Sequence, residues 1–162
     1  MANEIKHAIG GRDPGVGYVD VLSVGDGQRA TLGATSRRGI DWIGESTDVR
    51  DIVFWLRPSG RVLGLDGRAY LPRFAEQLRT ASAELTRQIN AVVFLGGFKD
   101  DNKIVIPRPV IAYLLGGPVS GNVWVCSRGS YFELWGPRFV DLRVGDASER
   151  LDELIELPEG AQ

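Results

Sequence analysis

Apolar side chains fall on alternate positions in Tyr18-Val-Asp-Val-Leu-Ser23, the two-residue period of a strand with one buried face. Val24-Gly-Asp-Gly27 then reads as a tight turn and Arg29-Ala-Thr-Leu32 as a short strand. Asp51-Ile-Val-Phe-Trp-Leu56 is rich in β-formers and stops at Pro58-Ser-Gly60. Between Pro72 and Val92 the period changes. Phe74, Leu78, Ala81, Leu85, Ile89 and Val92 recur every three or four residues, which predicts one long amphipathic helix with Pro72 in its first turn. Strands return after Gly96-Gly97. Lys103-Ile-Val-Ile106 ends at Pro107, and Val110 to Leu115 reads as a short helix stopped by Gly116-Gly117. Asn122 to Cys126 and Tyr131 to Trp135 flank Ser127-Arg-Gly-Ser130 as a hairpin. Asp146-Ala-Ser-Glu149 has the form of a capping box, opening a last helix with Leu151, Leu154 and Ile155.

Composition narrows the function classes. The chain has 162 residues, the size of one domain or two small packed lobes, with the 43% apolar and 25% charged content of a globular protein. One cysteine, Cys126, and one histidine, His7, exclude a disulfide framework, a Cys/His zinc site and a Ser-His-Asp triad. A lone cysteine fits a reducing cytosol. No apolar run approaches the roughly 20 residues that span a bilayer, and the N-terminus has no signal-peptide core. Residues 1–17, glycine-rich and without apolar period, read as a flexible arm. Their GGRDPGVG run lacks the strand and the Lys-Ser/Thr of a phosphate loop. The net charge is −2, but residues 141–162 hold seven acidic residues against Arg143 and Arg150, so the body of the chain is mildly basic. That tail reads either as a solvated helix face or as a cover over basic patches.

A shift of 74 positions lays Asp26-Gly-Gln-Arg29-Ala-Thr-Leu32-Gly33 over Asp100-Asp-Asn-Lys103-Ile-Val-Ile106-Pro107. Each copy then runs through a presumed helix to a late strand ending in proline, Phe54-Trp-Leu-Arg-Pro58 and Glu133-Leu-Trp-Gly-Pro137, the second interval being longer. The second copy, with its short helix and its hairpin ending in Phe132-Glu-Leu-Trp135, resembles the AbrB/SpoVT swapped-hairpin domain. Two copies around an amphipathic helix, with Phe94-Leu-Gly-Gly97 before the second, resemble the MraZ family of bacterial regulators. Gln28 and Asn102 stand where that family's motif has a glycine, Lys103 where it has an arginine, and Gly33 where it has a proline.

The resemblance implies a β-dominated α+β fold: tandem AbrB-like swapped-hairpin β-barrel copies joined by an amphipathic helix. The expected organisation is an arm at 1–17, a first copy at 18–71, the helix at 72–92, a second copy at 93–140 and the acidic tail at 141–162. Leu32, Ile104, Ile106, Phe54, Leu134 and Trp135 are expected to fill the barrel. Two interleaved copies close a sheet that one copy leaves with open edges. The exposed loops then carry Arg29, Arg37 and Arg38 in the first copy and Lys99, Lys103 and Arg108 in the second, as two pseudo-symmetric basic patches suited to phosphate neutralisation on double-stranded DNA. Asp100-Asp101 read as turn residues, Trp55 and Trp124 as core rather than base-stacking platforms, and Cys126 as a buried thiol.

The function implied by the resemblance is a bacterial sequence-specific DNA-binding transcriptional regulator, cytoplasmic and nucleoid-associated. It has no catalytic residues, metal, cofactor, membrane partner or small-molecule substrate. MraZ-like proteins assemble into rings, so a homo-oligomer is expected. The alternative is an interaction or scaffold protein that keeps the fold without DNA recognition.

Overall fold

The computed structural model describes residues 19–25, 27–44, 48–57, 60–99, 102–118, 120–136 and 155–158. The alternation around Tyr18 becomes β1 (Val19–Val24), which turns back into β2 (Arg29–Thr31). A short helix α1 (Ala34–Arg38) leads to β3 (Arg50–Arg57) and β4 (Arg61–Asp66). Two helices, α2 (Gly67–Thr80) and α3 (Ala83–Val92), run directly into β5 (Val93–Phe98) and β6 (Lys103–Val105). Helix α4 (Arg108–Leu115) precedes the hairpin of β7 (Gly121–Ser127) and β8 (Phe132–Trp135).

All eight strands form one antiparallel sheet in the order β1-β7-β8-β4-β3-β5-β6-β2. The strands at the two ends of that order, β1 and β2, are consecutive in the chain, and Gly25 N–H donates to Arg29 O at the turn joining them. The sheet therefore curls until its edges nearly meet, giving an α+β, strand-rich, nearly closed barrel. Closure of this kind removes the exposed edges that invite aggregation.

Register fixes which side chains fill the barrel. Leu22 faces Val123, Phe54 faces Gly64 and Ile104 faces Phe98 across neighbouring strands. The six residues expected in the core, Leu32, Ile104, Ile106, Phe54, Leu134 and Trp135, are all buried. Gly64 is required by a close approach: a Cβ there would lie 2.1 Å from the ring of Phe132. On the opposite face of β3, Phe74 of α2 packs edge-on against Trp55, with ring centroids 5.7 Å apart at 83°.

The single helix expected over 72–92 is two helices. Asp66 caps the first by accepting from Arg68 N–H at 3.1 Å, so α2 begins at Gly67 and Pro72 lies inside it instead of in its first turn. Ala81 is extended (φ −71°, ψ 145°), and Ser82 Oγ accepts from Leu85 N–H at 3.1 Å to start α3. That break disrupts the apolar stripe. Phe74, Ile89 and Val92 are buried, but Leu78 is 36% exposed and Leu85 only half-buried.

The late-strand half of the 74-residue comparison is also corrected. Phe54 to Arg57 belong to β3, the third strand of the chain's first half, whereas Glu133 to Trp135 belong to β8, the fourth strand of its second half. Third and fourth strands correspond at a shift of 71 instead: β3 starts at Arg50 and β7 at Gly121, β4 at Arg61 and β8 at Phe132. The arm at 1–17, the prolines Pro58 and Pro137, and the Asp146 capping box with Leu151 and Leu154 lie outside the described residues. Ile155, expected on the last helix, starts a non-helical stretch and is 3% exposed.

Candidate nucleic-acid interface

The β1–β2 and β5–β6 turns share one hydrogen-bond pattern, residue for residue, 74 positions apart. Gln28 N–H donates to Gly25 O at 3.1 Å, and Asn102 N–H to Lys99 O at 3.2 Å. Gly25 N–H donates to Arg29 O at 3.3 Å, and Lys99 N–H to Lys103 O at 2.8 Å. Each is a three-residue hairpin loop closed by a left-handed residue, the role usually taken by glycine. Gln28 and Asn102 fill it with φ 63° and 62°, the two non-glycine residues of positive φ among the described residues. Both turns thus hold a non-glycine residue in a conformation that glycine usually takes.

The turns also hold each other. Leu32 N–H donates to Asn102 O and Ile106 N–H to Gln28 O, both at 2.9 Å. Strand β2 pairs with β6 so that Ala30 faces Ile104, Arg29 faces Val105 and Thr31 faces Lys103. Ala30 and Ile104 point into the core. Arg29 and Thr31 are exposed and Lys103 and Val105 half-buried on the outer face of the same two strands. Arg29 and Lys103 are therefore diagonal neighbours on one surface.

The other four candidate cations occupy different settings. Arg37, on α1, donates from an Nη to Asn102 Oδ1 at 3.1 Å and so ties the first half's helix to the second half's turn. Arg38 is exposed, its Nε 3.3 Å from Ala34 O. Lys99 is half-buried in the β5–β6 turn, and Arg108 is exposed at the first position of α4. At the 74-residue shift these four meet Ile111, Ala112, Gly25 and Ala34, none of them cationic. Of the six candidate cations, Arg29 and Lys103 correspond at that shift, and they lie on adjoining strands. Asp26, Asp100 and Asp101 lie outside the described residues.

A second charged cluster lay beyond sequence reasoning. Glu133, on β8, is fully buried, and its carboxylate accepts from Arg61 at 2.9 Å and from the Trp135 indole N–H at 3.4 Å. Arg128 Nε stands 3.5 Å from the same carboxylate. Tyr113 OH donates to Arg57 O and accepts from Gly60 N–H at 3.3 Å, pinning α4 to the end of the β3–β4 hairpin. The available signal was a glutamate inside the apolar run Phe132-Glu-Leu-Trp135. No group of three or more His, Cys, Asp or Glu is placed to hold a metal among the described residues, and no helix there is long and apolar enough to cross a membrane.

Of the acidic tail, only residues 155–158 are described. Ile155 is buried in the core cluster, and with Glu156 it lines a shallow groove against Pro72, Arg73, Glu76 and Gln77 of α2. Helix α2 packs on β3 and β4, whereas β2 and β6 end the strand order on the other side of the barrel. No family model matches the chain, and no curated protein matches it either.

Proposed function

We propose that this chain is a non-catalytic, MraZ-like DNA-binding transcriptional regulator, built from two AbrB-like copies and presenting the β2–β6 face to duplex DNA. The tandem reading is supported by the strand order. Exchanging β1 with β5, β2 with β6, β3 with β7 and β4 with β8 returns the same order around the barrel, read in reverse. Four of the seven pairings among the described strands join the two halves, which supports a reading as interleaved hairpins.

The observation that carries the functional reading is Arg29 and Lys103, held by matching turns on one outer face. Two cations across a two-fold seam suit the two strands of a duplex, whose affinity depends chiefly on phosphate neutralisation. The reading assigns no cofactor and places the protein with DNA in the cytoplasm. Assembly into a homo-oligomer, a ring in the MraZ manner, is supported by Val21 and Leu95, 48% and 56% exposed at positions 74 residues apart. Repeated weak contacts in such an assembly add through effective concentration.

The scaffold reading draws on the net charge of −2 and on the four cations without counterparts. A salt series of fluorescence anisotropy on DNA upstream of the gene separates the two. The regulator binds with a salt-dependent affinity, and Arg29→Ala with Lys103→Ala flattens the slope of log affinity against log salt by roughly 0.9 per lost phosphate contact. An intact chain that binds no duplex at any salt concentration contradicts the regulator and leaves the scaffold.

A further inference from the structure

We propose that the β2–β6 face reads DNA asymmetrically, Arg29 selecting a guanine-containing half-site and Lys103 gripping only backbone phosphate in the other. The inference rests on the DNA-binding reading above and concerns what that surface recognises.

Two differences break the equivalence of the two turns. The first is chemical: the matched outer-face position is Arg29 in one half and Lys103 in the other. A guanidinium is a planar fork that meets guanine O6 and N7 together, whereas an ammonium is a point charge on a flexible stem. The second is mechanical. Asn102, in the Lys103 turn, accepts from Arg37 at 3.1 Å, but the residue equivalent to Arg37 is Ile111, fully buried and unable to donate. Among the described residues, only the Lys103 turn has this side-chain brace. A braced turn that ends in a flexible point charge suits sequence-independent backbone contact. An exposed arginine beside a turn without that side-chain tie suits a base edge, where the side chain must adjust to the groove.

Selection from a random duplex library, followed by sequencing, tests this on the full-length wild type, Arg29→Lys and Lys103→Arg, with thermal melts confirming that each is folded. Wild type should enrich sites with guanine fixed in one half only. Arg29→Lys should lose that preference, lowering the operator-to-random affinity ratio by about ten-fold, the scale of one bidentate base contact. Lys103→Arg should gain a guanine preference in the second half. A symmetric wild-type consensus, or guanine preference unmoved by Arg29→Lys, overturns the asymmetry while the DNA-binding reading stands. Failure of folded wild type to enrich or bind any duplex overturns that reading itself, and the inference with it.

Discussion

Cys126 stands opposite Glu133 on β7 with none of its surface exposed, and burial pushes its thiol up from the ordinary 9.0 to about 11. The folded state thus holds this proton more tightly than the unfolded chain. The group adds stability below its unfolded value and loses it as pH rises toward about 11. Near neutral pH the thiol should resist alkylation until urea unfolds the chain, and Cys126→Ala should lessen the alkaline loss of stability. Rapid labelling of the native protein would contradict its burial. Glu133 carries a larger consequence. Removing a carboxylate that faces Arg61 and Arg128 leaves buried cations with lost compensation, so Glu133→Ala should cost about 3–5 kcal/mol in urea denaturation. Replacing Arg61 by methionine in the same chain should recover part of it. The burial of Cys126 was readable from its apolar neighbours, whereas the setting of Glu133 was not, because it meets Arg61 72 positions away.

Among the elements, β1 was legible from its alternation and β3 from its β-formers, whereas the helical period over 72–92 concealed a break and β4 and β5 went unread. Strand β4, Arg61-Val-Leu-Gly-Leu-Asp66, is buried from Arg61 to Leu65, so it has no alternation to read. Strand β5 holds Gly96 and Gly97, where side-chain pattern vanishes because a Cβ on Gly96 would fall 2.3 Å from Val105 O. The 74-residue shift was legible where turns impose it, at Gln28 and Asn102, and misled where the two halves differ in length between helix and third strand. The same matching makes a stability prediction. Gly33, the N-cap of α1, has φ −61°, and Pro107, the N-cap of α4, has φ −57°. Gly33→Pro therefore fixes a conformation already adopted and should stabilise by about 0.4–1 kcal/mol through the unfolded chain. Its Cβ would meet Asp20 Oδ2 at 3.3 Å, a side chain able to yield. A lower melting temperature would mean that the two caps are not equivalent in environment.

At the scale of the whole molecule, one cation from each half of the chain lies on the common outer face of β2 and β6. The sequence pointed to Arg29 and Lys103 through their shared spacing. It could not reveal that β2 and β6 are neighbours, a pairing made across 74 positions, nor that Arg37 reaches Asn102. The tail is bound up with the same architecture, since truncation after Val140 also removes buried Ile155. Hydrogen exchange of the full-length protein, with and without a duplex it binds, tests the account most directly. DNA should slow exchange together in the peptides spanning 25–33 and 99–107, the two turns with their strands. Protection confined to α2 and the Ile155 groove, or to one turn alone, would contradict a shared β2–β6 binding face.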